Sequence, residues 1–184
     1  AEASLNNFDE VMKKVPEAQP VHPQHLGIVK ELSFQHVSFK HQTAQFKALE
    51  DINFSVDKGE TIAFVGPSGS GKSTLVKLLV GLYHPQTGNV FYNKIDSNDI
   101  SLEELRTQIG FVTQDTQLFA GTIKENLMFV NPSATDEDLL DALYKASCQN
   151  LLERAENGIE TVIGEGGLKL SGGEKQRLSI ARSL

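Results

Sequence analysis

One stretch of the sequence has the residue types and the spacing of a site for a nucleotide's phosphates. Gly66, Gly71, Lys72 and Ser73 match the pattern G-x-x-x-x-G-K-[ST], in which backbone N–H groups wrap the phosphate oxygens. Glycine is needed because the backbone passes close to the phosphates through angles that a Cβ atom would obstruct. The sequence therefore predicts a phosphate-binding loop.

Each residue of this loop has a predicted role in binding the nucleotide. Lys72 supplies a fixed positive charge to the terminal phosphates, and Ser73 offers its hydroxyl to Mg²⁺. Thr74 begins the following turn, where unpaired N–H groups and the partial positive charge of a helix start complete the anion site. The other residues predicted to contact the nucleotide complete the loop: Pro67, Ser68, Gly69 and Ser70.

The flanking residues predict the elements that position the loop. Residues 61–65 have strand propensity and lead into the glycines, and the residues after Lys72 place leucines at helical spacing: Leu75, Leu78, Leu79 and Leu82. Strand, loop and helix in this order are the context that a phosphate loop requires. The alternative is a glycine-rich turn with no ligand, which would need four constrained positions to coincide by chance.

Length and composition limit the class of protein. A chain of 184 residues with 39% hydrophobic and 22% charged residues is long enough for one globular domain with a substantial core. A net charge of −7 without a basic run argues against a nucleic-acid partner. Cys148 is the only cysteine, which excludes an intrachain disulfide and favours a reducing compartment. No apolar run approaches the length of a membrane span, so any membrane would have to be crossed by another chain or by a part of the protein outside these residues.

The first half of the chain predicts a lead-in segment followed by strands. Residues 4–15 have the spacing of an amphipathic helix, and residues 16–23, with three prolines, predict a linker. From Ile28 the pattern has period two, which predicts two antiparallel strands joined by a polar loop near residues 42–45. Further strands are predicted at residues 89–93 and 109–113.

The second half of the chain predicts helices with recognisable starts. Ser101 with Glu104, and Thr135 with Asp138, have the spacing of capping boxes. Residues 122–158 are predicted to form a helical block, with Cys148 inside a helix as a small buried hydrophobe. A third capping box is predicted at Ser171 and Glu174, before a helix that turns Leu178, Ile180 and Ala181 inward. The free N–H groups of Ser171, Gly172 and Gly173 make that helix start a second potential anion site.

The combination of these motifs resembles an ABC-type ATPase. LSGGEKQR at residues 170–177 resembles the signature motif of that family, Gln114 matches its glutamine loop, and GEGG at residues 164–167 resembles a loop that exporters place before the signature. LFAGTIKENL at residues 118–127 looks like the exporter branch. The resemblance covers nearly all of residues 28–184.

The resemblance implies an α/β fold. A phosphate-loop NTPase core sheet would carry an N-terminal antiparallel β subdomain, an inserted helical subdomain at about residues 115–170, and a signature helix at 171–184. Residues 1–27 would be the helix and linker from an upstream transmembrane domain. The family's strand ending in Asp and Glu, and its switch histidine, do not occur before Leu184. The C-terminal part of the fold is therefore expected to be absent, with residues 61–65 left as an unpaired edge and this chain inactive in ATP hydrolysis.

The resemblance also implies the ligands, the site residues and the partners. Two domains would sandwich two ATP molecules, each between residues 66–74 of one copy and Ser171, Gly172 and Gly173 of the other. Lys72, Gln114 and Ser171 would be the catalytic residues present, Ser73 and Gln114 the Mg²⁺ ligands, and His41 would stack on adenine where the family commonly has tyrosine. The partners would be a second such domain and a transmembrane domain, at the cytoplasmic face of a membrane.

Three alternatives remain open from the sequence. One is a soluble ABC-type ATPase that acts on DNA or ribosomes, which would favour a basic face or an inserted coiled coil. Another is an unrelated phosphate-loop kinase or GTPase, for which the LSGGE helix would be a coincidence. The third is a non-hydrolysing domain of a regulatory pair. Glu174, where glutamine is commoner in the family, has a structural explanation as part of a capping box and is assigned no catalytic role.

Overall fold

The computed structural model describes residues 20–113 and 116–184, which divide into two compact units on either side of the boundary between Gln108 and Ile109. The predicted helix at residues 4–15, the first half of the predicted linker (residues 16–19) and Gln114 lie outside the described residues. Among the residues that are described, no helix has both the length and the apolar character needed to cross a membrane.

The first unit is built on a four-stranded antiparallel sheet. Its strands are β1 (Glu31–Phe39), β2 (Leu49–Asp57), β3 (Thr87–Tyr92) and β4 (Ile95–Asp96), in the spatial order β2-β1-β3-β4. The predicted antiparallel pair is confirmed, because β1 and β2 pair directly with Phe34 opposite Phe54. The strand predicted at residues 89–93 is confirmed as β3, which pairs with the other edge of β1.

Helix α1 (Lys72–Leu79) follows the glycine-rich loop and is tied to the sheet. The hydroxyl of the buried Tyr92 on β3 donates to the carbonyl of Leu79 at 2.6 Å. The helix ends three residues before the predicted Leu82, whose side chain is 47% exposed, because Gly81 adopts a left-handed conformation with φ +69°. Glycine accepts this conformation without steric cost and commonly ends a helix.

Helix α2 (Leu102–Arg106) has only half of its predicted capping box. The Ser101 hydroxyl accepts a hydrogen bond from the Glu104 amide at 3.4 Å, as expected. The Glu104 carboxylate instead accepts from the backbone amides of Leu26 and Gly27, both at 3.2 Å, and contacts His25 at 2.9 Å. The prediction for the second half of this box was wrong because a segment distant in sequence supplies better-placed donors.

The strands predicted at residues 61–65 and 109–113 were both wrong, because neither segment is paired in a strand ladder with any described residue. Both segments also leave apolar side chains in contact with solvent: Ile62 (42% exposed), Val65 (92%), Phe111 (37%) and Val112 (37%). A strand is stabilised by hydrogen bonds to a neighbouring strand, so strand propensity does not suffice where no partner is present. The expectation that residues 61–65 would be left unpaired is confirmed.

The second unit is mainly helical. It contains α3 (Ile123–Met128), α4 (Asp136–Lys145), α5 (Gln149–Arg154), α6 (Gly172–Arg182) and a two-stranded ribbon of β5 (Gly121–Thr122) and β6 (Val162–Ile163). Thr135 and Asp138 form the predicted capping box at the start of α4. The buried core draws on every one of these helices: Ile123, Leu127, Leu139, Leu143, Ala146, Cys148, Leu151, Ala155, Ile159, Ile163, Leu178 and Ala181.

Two details of this unit differ from the sequence predictions. Cys148 is buried, as predicted, but it lies between α4 and α5 and not inside a helix, because Ser147 turns the backbone with φ +58°. Ile180 on α6, predicted to point inward, is 40% exposed, whereas Leu178 and Ala181 are buried. The face of α6 that contacts the core is therefore narrower than predicted, because it includes Leu178 and Ala181 but not Ile180.

Candidate functional site

The glycine-rich loop between residues 66 and 71 turns sharply into α1. Gly71 caps the helix in a left-handed conformation with φ +89°, and no side chain caps the first turn. A Cβ atom at Gly71 would lie 2.4 Å from the carbonyl oxygen of Ala48 and 2.8 Å from a methyl group of Leu49. Only glycine fits here, because both the backbone angle and the close approach of β2 exclude a side chain.

The Lys72 ammonium lies inside the loop that precedes it. Its Nζ donates to the carbonyls of Gly66 at 2.9 Å and Pro67 at 2.8 Å, and to the Ser70 hydroxyl at 3.4 Å. These three contacts use the three donors of the ammonium group. The loop is thereby folded around one positive charge, that of the lysine which contacts phosphate oxygens in loops of this pattern.

The first turn of α1 adds further groups suited to a phosphate and a metal ion. Its first N–H groups have no acceptor within the helix, and the helix dipole places partial positive charge there. Ser73 is exposed at this end, so its hydroxyl is accessible to a cation. The donor set of backbone amides, one ammonium and one hydroxyl fits a nucleotide phosphate with Mg²⁺.

His41 lies beside the same helix start. Its Nε2 is 3.2 Å from the hydroxyl of Thr74, which is itself buried in α1. Its ring packs edge-on against Phe39 at 5.0 Å and against Tyr83 at 5.7 Å between ring centroids. Phe39 and Tyr83 stack on each other at 5.1 Å, and Lys77 lies over the Tyr83 ring at 5.3 Å. The imidazole is therefore held in one orientation next to the predicted phosphate loop.

The second predicted anion site is the start of α6. Ser171 caps the helix, its hydroxyl accepting from the Glu174 amide at 3.3 Å, and the Glu174 carboxylate accepts from the Ser171 amide at 2.7 Å. The capping box predicted for these two residues is confirmed. The prediction that the Ser171 N–H group is free was wrong, because the Glu174 carboxylate accepts from it. A Cβ atom at Gly172 would meet nothing within 4 Å, so the outer side of this helix start is open space.

The Glu174 carboxylate is buried in spite of its charge, and it has a cationic partner. Arg154, on α5, contacts Glu174 Oε1 through Nη1 at 2.5 Å and donates from Nη2 to the carbonyl of Lys169 at 3.2 Å. Hydrogen bonds from Ser171 are the main cause that lowers the pKa of Glu174, and the Arg154 charge adds to them. Glu174 is therefore an ionised carboxylate at neutral pH.

The predicted site residues fall into two groups. The loop residues 66–74 and His41 lie together in the first unit, and Ser171, Gly172 and Gly173 lie together in the second. Gln114, predicted to act in catalysis and to bind Mg²⁺, is outside the described residues.

Sequence reasoning missed two residues that hold these groups in place, Tyr83 in the aromatic cluster and Arg154 beside Glu174, and it did not foresee the contact between His41 and Thr74. The partners are 20 to 42 residues apart in the sequence, beyond any helical or strand repeat. The one available signal was the glutamate at position 174, because a buried carboxylate requires a cation or several donors.

Comparison with known proteins identifies a family for this arrangement. A sequence model described as ABC transporter matches residues 49–184. The chain is 42% identical over 182 residues to the uncharacterised ABC transporter ATP-binding protein YwjA of Bacillus subtilis, covering 98% of this chain and 32% of that protein. It is 44% identical over 151 residues to a putative multidrug export ATP-binding/permease protein of Staphylococcus aureus, covering 82% of this chain and 26% of that protein.

A solved structure shares the fold. The structure of a bacterial Atm1-family ABC exporter with ATP bound superposes with a TM-score of 0.86 at 33% sequence identity, over 98% of this chain and 32% of that one. This similarity confirms the predicted fold class. The chain spans about a third or less of the length of these relatives.

Proposed function

Because the chain belongs to the ABC transporter family, we propose that it is the ATP-binding motor domain of an exporter, coupling ATP binding and hydrolysis to the movement of a substrate across a membrane. Two relatives support the exporter assignment, one described as a putative multidrug export protein and the other as an Atm1-family exporter with ATP bound. Substrate selection would lie outside these residues, in membrane helices.

One observation carries the nucleotide-binding part of the proposal: the loop at residues 66–71 is folded around the Lys72 ammonium at the uncapped start of α1. On binding, the ATP phosphates would replace loop oxygens as partners of Lys72, and the Ser73 hydroxyl would bind Mg²⁺. The metal would neutralise charge on the β- and γ-phosphates. His41 would contact the adenine base, with Gln114 as a further metal ligand.

The proposal includes a second copy of the domain, or a related one, in a head-to-tail arrangement. Ser171, Gly172 and Gly173 of one copy would contact the γ-phosphate bound by Lys72 of the other. The open space beside Gly172 at the start of α6 suits this role, because amide donors and the helix dipole favour an anion there. Closure on ATP and opening after hydrolysis would move a transmembrane domain, with this domain at the cytoplasmic face.

Nucleotide binding is tested by replacing Lys72 in the complete natural protein. Lys72→Ala should weaken ATP binding at least tenfold, because a charge-assisted hydrogen bond contributes about 1.5–3 kcal/mol. Lys58→Ala, a loop lysine that is exposed and outside the site, is the matched control and should bind like the unchanged protein. Equal ATP affinity in the two variants would contradict the proposed site.

The paired arrangement is tested by cross-linking. A cysteine at Ser68 of one copy and a cysteine at Ser171 of another should form a disulfide in the presence of ATP and Mg²⁺. The same pair should fail to form when Lys72→Ala is added. An unrelated phosphate-loop kinase or GTPase would form no such cross-link. Absence of an ATP-dependent cross-link would therefore contradict the proposed sandwich of two domains and favour that alternative.

A further inference from the structure

A fixed negative charge lies at the start of α6, where the proposed function requires a phosphate. The Glu174 carboxylate is 2.7 Å from both the amide and the hydroxyl of Ser171, and it accepts from both. Only 7% of the Glu174 side chain is exposed. Both Ser171 donors therefore serve an internal anion that would repel an approaching phosphate.

A cation on the neighbouring helix α5 offsets the negative charge of Glu174. The Arg154 guanidinium on α5 contacts the second carboxylate oxygen, Glu174 Oε1, at 2.5 Å, opposite the oxygen that bonds Ser171. Its other nitrogen donates to the carbonyl of Lys169, just before the LSGGE motif, at 3.2 Å. Two contacts hold the guanidinium against the carboxylate, and 50% of the Arg154 side chain remains exposed.

We propose that Arg154 is a positioning residue for ATP-dependent pairing, because it neutralises Glu174 and so allows the start of α6 to accept the γ-phosphate of the partner copy. The proposal rests on the proposed function, since it concerns the same helix start. With the ion pair intact, the Arg154 charge offsets that of Glu174. The amides of Gly172 and Gly173 can then act on the phosphate together with the Arg177 guanidinium, whose Nη1 lies 3.4 Å from the position that a Cβ atom would take at Gly173. Without Arg154, a partly desolvated carboxylate faces the phosphate.

The test separates charge from structure by a double-mutant cycle in the complete natural protein. The variants are Arg154→Leu, which removes the cation; Glu174→Gln, which removes the anion but keeps a hydrogen-bond acceptor; the two combined; and Arg154→Lys, which keeps the charge. Pairing is followed by energy transfer between copies labelled at Asn150→Cys, an exposed position on α5, with other accessible cysteines replaced. The measured quantity is the ATP concentration that gives half-maximal transfer, with thermal unfolding recorded in parallel.

Arg154→Leu should raise the half-maximal ATP concentration about tenfold. This is the effect expected when one uncompensated carboxylate repels a phosphate at a partly solvent-exposed site. Arg154→Lys and Glu174→Gln should each stay within about threefold of the unchanged protein, since neither leaves an ionised Glu174 without the cation at position 154. The combined variant should return to the value of Glu174→Gln. Such rescue would not occur if Arg154 only braced the fold.

Two outcomes overturn the proposal, and they differ. If the unchanged protein pairs with ATP but the combined variant is as impaired as Arg154→Leu, Arg154 acts through packing, and the inference falls while the proposed function stands. If the unchanged protein shows no ATP-dependent transfer, the proposed paired function fails, and the inference falls with it. Should Arg154→Leu not fold, Arg154→Gln replaces it in the same cycle.

Discussion

The Nε2 atom of His41 lies 3.2 Å from the hydroxyl of Thr74, the third residue of α1. This contact joins the loop that follows β1 to the helix that follows the phosphate loop, across 33 residues of sequence. Under the proposed function, one residue of the pair faces the base and the other lies beside the phosphates. The contact would then connect recognition of the two ends of the nucleotide.

Thr74→Val should reduce the contribution of the base to nucleotide affinity, because it removes the hydroxyl that orients the His41 ring while preserving side-chain shape. We expect ATP binding to weaken about three- to tenfold, the effect of one hydrogen bond. Binding of inorganic triphosphate should change less. Thr74→Ser, which keeps the hydroxyl, is the control. Calorimetric titration measures the affinity of each variant for ATP and for inorganic triphosphate. An equal loss for ATP and triphosphate would show that Thr74 acts on the phosphates alone.

Glu174→Gln should change how stability depends on pH. The pKa of Glu174 is lowered from its ordinary value of 4.5, chiefly by hydrogen bonds from Ser171 and also by Arg154. A lowered pKa in the folded state stabilises the protein above the unfolded value, and this stabilisation is lost as the pH falls through the folded value. The difference in free energy of unfolding between the unchanged protein and Glu174→Gln should therefore be largest near neutral pH and shrink below about pH 4.5.

Urea unfolding at several pH values measures this difference. Glu165→Gln, at an exposed carboxylate of the same unit, is the control and should change stability by less than about 0.5 kcal/mol. A difference for Glu174→Gln that stays constant from neutral pH to pH 3 would show that its carboxylate does not stabilise the start of α6.

Leu178→Ala should destabilise the second unit strongly, because Leu178 is fully buried in its core and attaches α6 to it. We expect a loss of about 2–5 kcal/mol in the free energy of unfolding, as for other buried leucines replaced by alanine. Ile180→Ala, on the same helix but 40% exposed, is the matched control and should cost clearly less. Similar losses for the two variants would mean that α6 packs through a different face.

Cys148 should be unreactive in the folded protein. The side chain is 1% exposed, and burial raises the pKa of its thiol, so little thiolate forms and reagents have poor access. An aromatic disulfide reagent at pH 8 should modify Asn150→Cys, two residues away and exposed, at least about a hundredfold faster than Cys148. Both thiols should react equally in denaturant. Fast modification of Cys148 without unfolding would contradict its burial.

The sequence by itself determined the features that depend on neighbouring residues. The pairing of β1 with β2 follows from the alternating pattern of two strands that are neighbours in sequence. The helix start at Gly71 and Lys72 and the capping boxes at Thr135 and Ser171 follow from patterns a few residues long. These patterns succeed because a cap or a turn is satisfied within the same segment. The ABC family was recognisable for the same reason, since its motifs are short and contiguous. The roles of the individual site residues stay predictions.

The tertiary structure decided the contacts between segments that no local repeat or turn signal connects. Residues 61–65 and 109–113 have strand propensity but no ladder, because no described strand lies beside them. Glu104 bonds the amides of Leu26 and Gly27 in preference to its own helix, and Arg154 reaches Glu174 from another helix. Hydrogen bonds and ion pairs are short-ranged, so their partners are set by which surfaces packing brings together, and local sequence does not carry that information.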